Sequence, residues 1–190
     1  MNPLVIWLLA YALPAFLAGC YIKLCSHQEG GSPKNLTFIH VVLLVSALAS
    51  QCAIYAQGIS FPTPGIWFLV VFAASVAIAG FFIGRLGLLY GVSALLQQAC
   101  MLSIAFLLLP AFPVWIVVLL IVPLFVFCHQ LTGVPYWRTR IILITLWGSV
   151  SVLIFAFIPD ILLVSSLHTL FGTILIANGI LHIQYERSRF

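Results

Sequence analysis

The chain has 190 residues, 64% of them hydrophobic and 5% charged, with 7 Lys and Arg against 3 Asp and Glu. So few charges beside a mean hydropathy of +1.27 exclude a water-solvated surface for most of the chain and predict a polytopic membrane protein. Seven scattered cations do not suggest a nucleic-acid interface, and the length leaves room for a single integral membrane domain, 1–190, with no soluble module and no short internal repeat.

Apolar runs closed by charges, prolines or glycine clusters predict an all-α membrane bundle of about seven transmembrane helices, at 4–24, 37–57, 65–84, 86–109, 113–131, 139–158 and 161–184. The first run ends in Leu17, Ala18, Gly19 and Cys20, the letters of a lipoprotein cleavage box. No Lys or Arg precedes that run, and cleavage would leave Lys23 and Lys34 outside, so it is read as a span. Asn35, Leu36 and Thr37 spell a glycosylation sequon that falls on the cytoplasmic side and stays unused. The second helix carries Ser46, Ser50 and Gln51. Gly80, Gly84, Gly87 and Gly91 form a small-residue stripe across the turn at Arg85, which predicts a close approach of the third and fourth helices.

The chain is organised around the fourth apolar run, GVSALLQQACMLSIAFLLLP at 91–110, with Gln97 and Gln98 near its middle. An amide in hydrocarbon has no water to bond, so such a pair must face other helices or a wet cavity. The fifth helix holds Pro123, Phe125 and His129, and the seventh holds His168, Asn178 and His182. With alternating helices, Lys23, Lys34, Arg85, Arg138, Arg140, Arg187 and Arg189 fall on one side and Asp160 on the other. The positive-inside rule makes the first side cytoplasmic, with the N-terminus out and the C-terminus in, and a bacterial inner membrane is the expected location.

Neither metal nor haem is expected. Cys25, His27, Cys128 and His129 could meet at the inner membrane edge, yet no CxxC or HxxxH spacing supports a metal cluster, and the five cysteines suit packing better than disulfides. His168 and His182, 14 residues apart, share a helix face as one helix of a two-haem cytochrome would. Partner histidines exist only at the inner end, so a b-type haem on His182 with His129 or His40 stays open as a lesser reading.

Read together, the fourth, fifth and seventh helices present Gln97 and Gln98, then Phe125 to His129, then His168 to Gly172. This order resembles the CPBP family of glutamic-type intramembrane proteases, which includes the type II CAAX prenyl endopeptidases and bacteriocin-processing proteins. That family shows EExxxR, then FxxxH, then HxxxN. The flanking segments PVWIVVLLIVPLFVFCH and IPDILLVSSLHTLFG are similar too, and the resemblance covers approximately 86–180. It implies catalytic positions at Gln97, Gln98, His129 and His168, with Phe125 beside them. Gln replaces both glutamates, Leu102 stands at the arginine position and Gly172 at the asparagine position.

Those departures decide the expected chemistry. Activating water for peptide hydrolysis calls for a general base and oxyanion donors, and Gln has no titratable group to take the proton. The resemblance therefore implies a pseudoprotease with absent or very low activity, unless a histidine serves as base, and a pocket that binds a membrane-embedded peptide or lipidated ligand. Ser50, Gln51 and Asn178 are candidates to line that pocket. The alternative is a small transporter component, or the membrane subunit of a larger complex with a membrane-protein partner. On the expected boundaries Gln97 lies ~18 Å, His168 ~10 Å and His129 ~24 Å from the outer helix ends at 1.5 Å per residue. Convergence then demands a tilt or a kink, for which Pro123 is the place.

Overall fold

A computed structural model of the chain describes residues 2–17, 20, 33–56, 58–59, 65–129 and 137–180, and within these the side chains of 33–40, 43, 86, 128–129, 137 and 140 lie outside the description. Among the described residues the fold is all helical, with seven helices and no strand. They are α1 (Pro3–Leu17), α2 (Pro33–Ala56), α3 (Ile66–Ile83), α4 (Arg85–Leu108), α5 (Val114–His129), α6 (Trp137–Phe157) and α7 (Ile161–Ala177). Two segments, Ile66–Ile83 and Gly87–Leu108, are long and apolar enough to cross a membrane by length and composition. The other five helices are apolar over 10–17 residues. The predicted far end of the first helix falls on residues outside the description.

Local chemistry sets several of these ends. Asn2 accepts from the Leu4 amide at 2.9 Å, and Pro3 fills the first helical position, where a missing N–H costs nothing. Asp160 caps α7 by accepting from Leu163 N at 2.9 Å, and its other oxygen accepts from Gly65 N at 3.4 Å, at the start of α3. One carboxylate thus serves two helix N-termini, where its negative charge is favourable. Gly84, at φ 64° and ψ −149°, breaks α3 from α4 in a backbone region open to glycine alone. At Gly87 a Cβ would strike the Ala79 backbone, and at Gly91 it would lie 2.6 Å from Val76, so the small-residue stripe is what lets α3 and α4 touch.

Helix α4 is the axis of the bundle and packs against each of the other six helices. Its Gly87–Leu108 stretch is 61% buried, against 11% for Ile66–Ile83, which separates a central helix from a peripheral one. Met101, Leu102, Ile104, Ala105 and Leu108 are fully enclosed, joined by Val117 and Ile121 of α5, Val152 and Phe155 of α6 and Val164 of α7.

The distribution of polarity is the reverse of a water-soluble protein's. Tyr55, Trp67, Phe81 and Phe157 each expose more than three quarters of their surface, while Ser50, Gln98, Ser103, Ser151, Ser165, Ser166, His168 and Thr169 are buried. Many of the buried hydroxyls bond the carbonyl one turn back: Ser50 to Ser46, Ser103 to Ala99, Ser166 to Leu162, Thr169 to Ser165 and Thr173 to Thr169. They are satisfied within their own helices and leave surfaces smooth enough for close packing.

α1 carries a π-helical turn, Leu8–Ala12, and presents Trp7 and Tyr11 to α5. Trp7 Nε1 donates to the Leu120 carbonyl at 3.2 Å, and Tyr11 Oη donates to the Ile121 carbonyl at 3.3 Å. Both carbonyls lie in the turn before Pro123, whose ring removes an N–H from the α5 ladder and crowds the preceding turn. The carbonyl left without its helical donor by Pro123 is that of Leu119, so the two donors from α1 tie down the turn beside this gap.

Candidate functional site

The site is built on the axis helix. Halfway along α4, Gln98 is completely enclosed, and its Nε2 donates to Nδ1 of His168 on α7 at 2.8 Å. An amide nitrogen only donates, so His168 Nδ1 is the acceptor and the ring proton sits on Nε2, the neutral tautomer. His168 is 6% exposed. Gln98 and His168 meet directly, and Gln98 is the member of the glutamine pair that does so. Gln97, rotated ~100° around the helix, points its side chain elsewhere.

Aromatic rings pack around this imidazole from three helices. Tyr90 of α4 meets it edge-on at a centroid distance of 5.9 Å, Phe125 of α5 at 6.5 Å, and Trp147 of α6 at 5.4 Å. Phe171, on α7 itself, stacks on Trp147 at 5.3 Å. The Tyr90 hydroxyl lies over Gly172, where a Cβ would run into it. Gly172 is therefore what allows Tyr90 to reach the histidine, a role different from the asparagine that the family pattern has there.

Several buried polar atoms of the same three helices have no hydrogen-bond partner among the described residues. They are Gln97 Oε1 and Gln98 Oε1 on α4, Trp147 Nε1 and Ser151 Oγ on α6, and Ser165 Oγ on α7. Ser151 lies one turn after Trp147, and Ser165 three residues before His168, so each shares a helix face with a residue of the site. Unsatisfied groups of this kind are uncommon in folded interiors and call for a counterpart.

The remaining expected site residues fall elsewhere. Gln51 donates to Ser103 Oγ at 2.5 Å, and Ser50 bonds within its own helix; both belong to a seam between α2 and α4, with Ser103 about 7.5 Å along α4 from Gln98 at 1.5 Å per residue. Asn178 is exposed at the end of α7 and donates to the Ile174 carbonyl at 2.7 Å. It stands ten residues beyond His168, at the helix terminus, so it does not line the His168 environment. The side chain of His129 lies outside the described residues, as do His40, His182 and the Cys25, His27, Cys128 and His129 set. Among the described residues no three of His, Cys, Asp or Glu come together.

Chemically the centre is neutral: an imidazole, amides, hydroxyls and an indole N–H. Asp160, the acid among the described residues, is held eight residues before His168 by two backbone amides. Among the described residues, then, no carboxylate is placed to take a proton from water beside His168. Tyr90, Trp147, Ser151 and Ser165 were not expected from the sequence. The available signals were helical spacing, with Tyr90 two turns before Gln97, and the N–H that a tryptophan carries into any apolar helix. Comparison with family models, with curated proteins and with solved structures gives no match.

Proposed function

We propose that the chain is a multi-pass membrane protein whose Gln98–His168 centre binds a peptide segment or lipidated chain held in the bilayer, on a scaffold like that of the CPBP proteases but without peptide-bond cleavage. The observation that carries the reading is the 2.8 Å hydrogen bond between fully enclosed Gln98 and His168, residues 70 apart in the chain and on the two helices that bear the first and last motifs of the resemblance. Replacement of the carboxylates by amides argues for binding rather than hydrolysis, because an amide holds the histidine yet cannot serve as base.

Exposed large apolar side chains around a polar interior support a bilayer setting, with lipids as the surrounding partner. The orientation follows from helix alternation. Lys34, Arg85, Arg138 and Arg140 open α2, α4 and α6, while the starts of α3 and α7 meet at Asp160 at the opposite end. By the positive-inside rule the cationic end faces the cytoplasm, as in an inner-membrane protein of a bacterium.

The test is photo-crosslinking in lipid nanodiscs with a farnesylated C-terminal peptide bearing a diazirine. Labelling is expected on α4 and α7 and is expected to fall about tenfold in Gln98→Leu and His168→Leu, the equivalent of ~1.4 kcal/mol. Unchanged labelling in both variants would defeat the reading and leave the polar interior to a transport or subunit role. Gln98→Glu addresses the scaffold, since newly acquired cleavage of the same peptide is the outcome expected of a protease-like frame.

A further inference from the structure

Two departures from regular helix face each other where α1 meets α5. In α1 the Leu13 amide donates to the Leu8 carbonyl, five residues back, which makes Leu8–Ala12 a π-helical turn. In α5 Pro123 leaves the Leu119 carbonyl without its helical donor. Trp7 and Tyr11 donate to the Leu120 and Ile121 carbonyls before the proline, and Phe16 stacks on Phe127 after it, with ring centroids 5.8 Å apart. α1 therefore grips α5 on both sides of its break.

The break is aimed at the His168 centre. Pro123 is exposed and Phe125 is buried, two residues and ~200° of rotation away on the opposite face of the helix. A proline ring crowds the carbonyl four residues back, so a helix bends away from the ring side. Here such a bend carries Phe125 inward, to its edge-on contact with His168 at 6.5 Å. Of the three rings on that imidazole, Tyr90 belongs to the axis helix that also carries Gln98, and Trp147 is stacked on Phe171 of the histidine's own helix. Phe125 is the one that stands two residues from a missing backbone hydrogen bond.

We infer that α1 is a latch on a hinge at Pro123, and that the hinge opens the His168 centre sideways to the bilayer. Engaged, the latch holds the second half of α5 bent, with Phe125 closed on His168. When the π-helical turn converts to α-helix, the residues after it rotate by ~100° relative to Trp7, which takes Phe16 off Phe127 and the Tyr11 hydroxyl off Ile121. The second half of α5 then swings outward, and Phe125 leaves the face of the imidazole. The hinge stands on this geometry, while what enters through it rests on the ligand-binding reading above.

The experiment puts 4-fluorophenylalanine in place of Phe125 in the full chain in nanodiscs, in a background without native cysteines, and follows the fluorine resonance with no ligand added. The closed ring lies beside His168, so the principal signal is expected to move in His168→Leu. Tyr11→Phe, which deletes one fastening, is expected to increase a second signal, distinct from that of the unfolded chain, by roughly three- to tenfold. Tethering α1 to α5 through Phe16→Cys and Phe127→Cys with a short cleavable thiol crosslinker is expected to abolish the second signal, and cleavage to return it to at least the wild-type level. One signal, indifferent to Tyr11→Phe and to the tether, would overturn the latch. The diazirine-bearing farnesylated peptide separates this inference from the binding reading. Labelling slowed about tenfold by the tether and recovered on cleavage supports both, whereas equal rates in tethered and cleaved protein overturn the latch and leave binding intact. No labelling of the wild-type protein would overturn the binding reading, with the fluorine signals still deciding the hinge.

Discussion

Gln98 and His168 meet through a hydrogen bond in the buried interior of the bundle. Replacing either by Leu removes this hydrogen bond from the interior, at a cost of about 1–3 kcal/mol, whereas replacing both removes the need for it. A double-mutant cycle on unfolding in detergent should therefore give a coupling of about 0.6–1.7 kcal/mol, the range typical of hydrogen bonds inside helical membrane bundles. Additivity to within about 0.3–0.5 kcal/mol would show that the bond contributes nothing. Both residues were visible in the sequence because each is a polar interruption of an apolar run. Which of Gln97 and Gln98 faces the histidine was not visible, since adjacent residues differ by ~100° of helix rotation and that rotation is set by packing. The aromatic partners were hidden for the opposite reason. Among fifteen Phe, six Tyr and five Trp, a ring beside a histidine looks like any other ring in the core.

At the scale of the helix, the most informative element is α1, whose Trp7 and Tyr11 donate to the carbonyls before Pro123 in α5. Tyr11→Phe keeps the ring and deletes the donor, and should lower stability by about 0.5–1.5 kcal/mol, read as an earlier thermal unfolding of the detergent-solubilised protein; Trp7→Phe deletes the donor together with part of the indole and should cost at least as much. A larger loss for Trp7→Ala with none for Trp7→Phe would show that only the ring's packing matters. The number of helices could be read from apolar runs closed by Pro, Gly and charge, and the close approach of α3 and α4 from the glycine stripe. The pairing of α1 with the proline turn of α5 could not, because nothing local marks a hydrogen bond between residues 113 positions apart. Ser50 and Gln51 were drawn toward the site by their polarity alone. In the fold they are satisfied by Ser46 and Ser103 on a different side of α4.

For the whole molecule, the proposed orientation predicts opposite reactivity at the two ends of the bundle. In a background without native cysteines, Thr139→Cys beside Arg138 should react with an impermeant thiol reagent only after the cytoplasmic face is opened. Ile158→Cys, near Asp160, should react in intact cells. The reverse pattern would invert the topology and with it the positive-inside argument. The 70-residue separation of Gln98 from His168 also fixes an order of events during biosynthesis. Ribosomes add roughly 5–20 residues per second, so Gln98 is made about 4–14 s before the imidazole that will accept from it. Over that interval Gln98 Nε2 lacks the acceptor that α7 brings. A chain that stalls before α7 would thus present that amide to whatever escorts it into the bilayer.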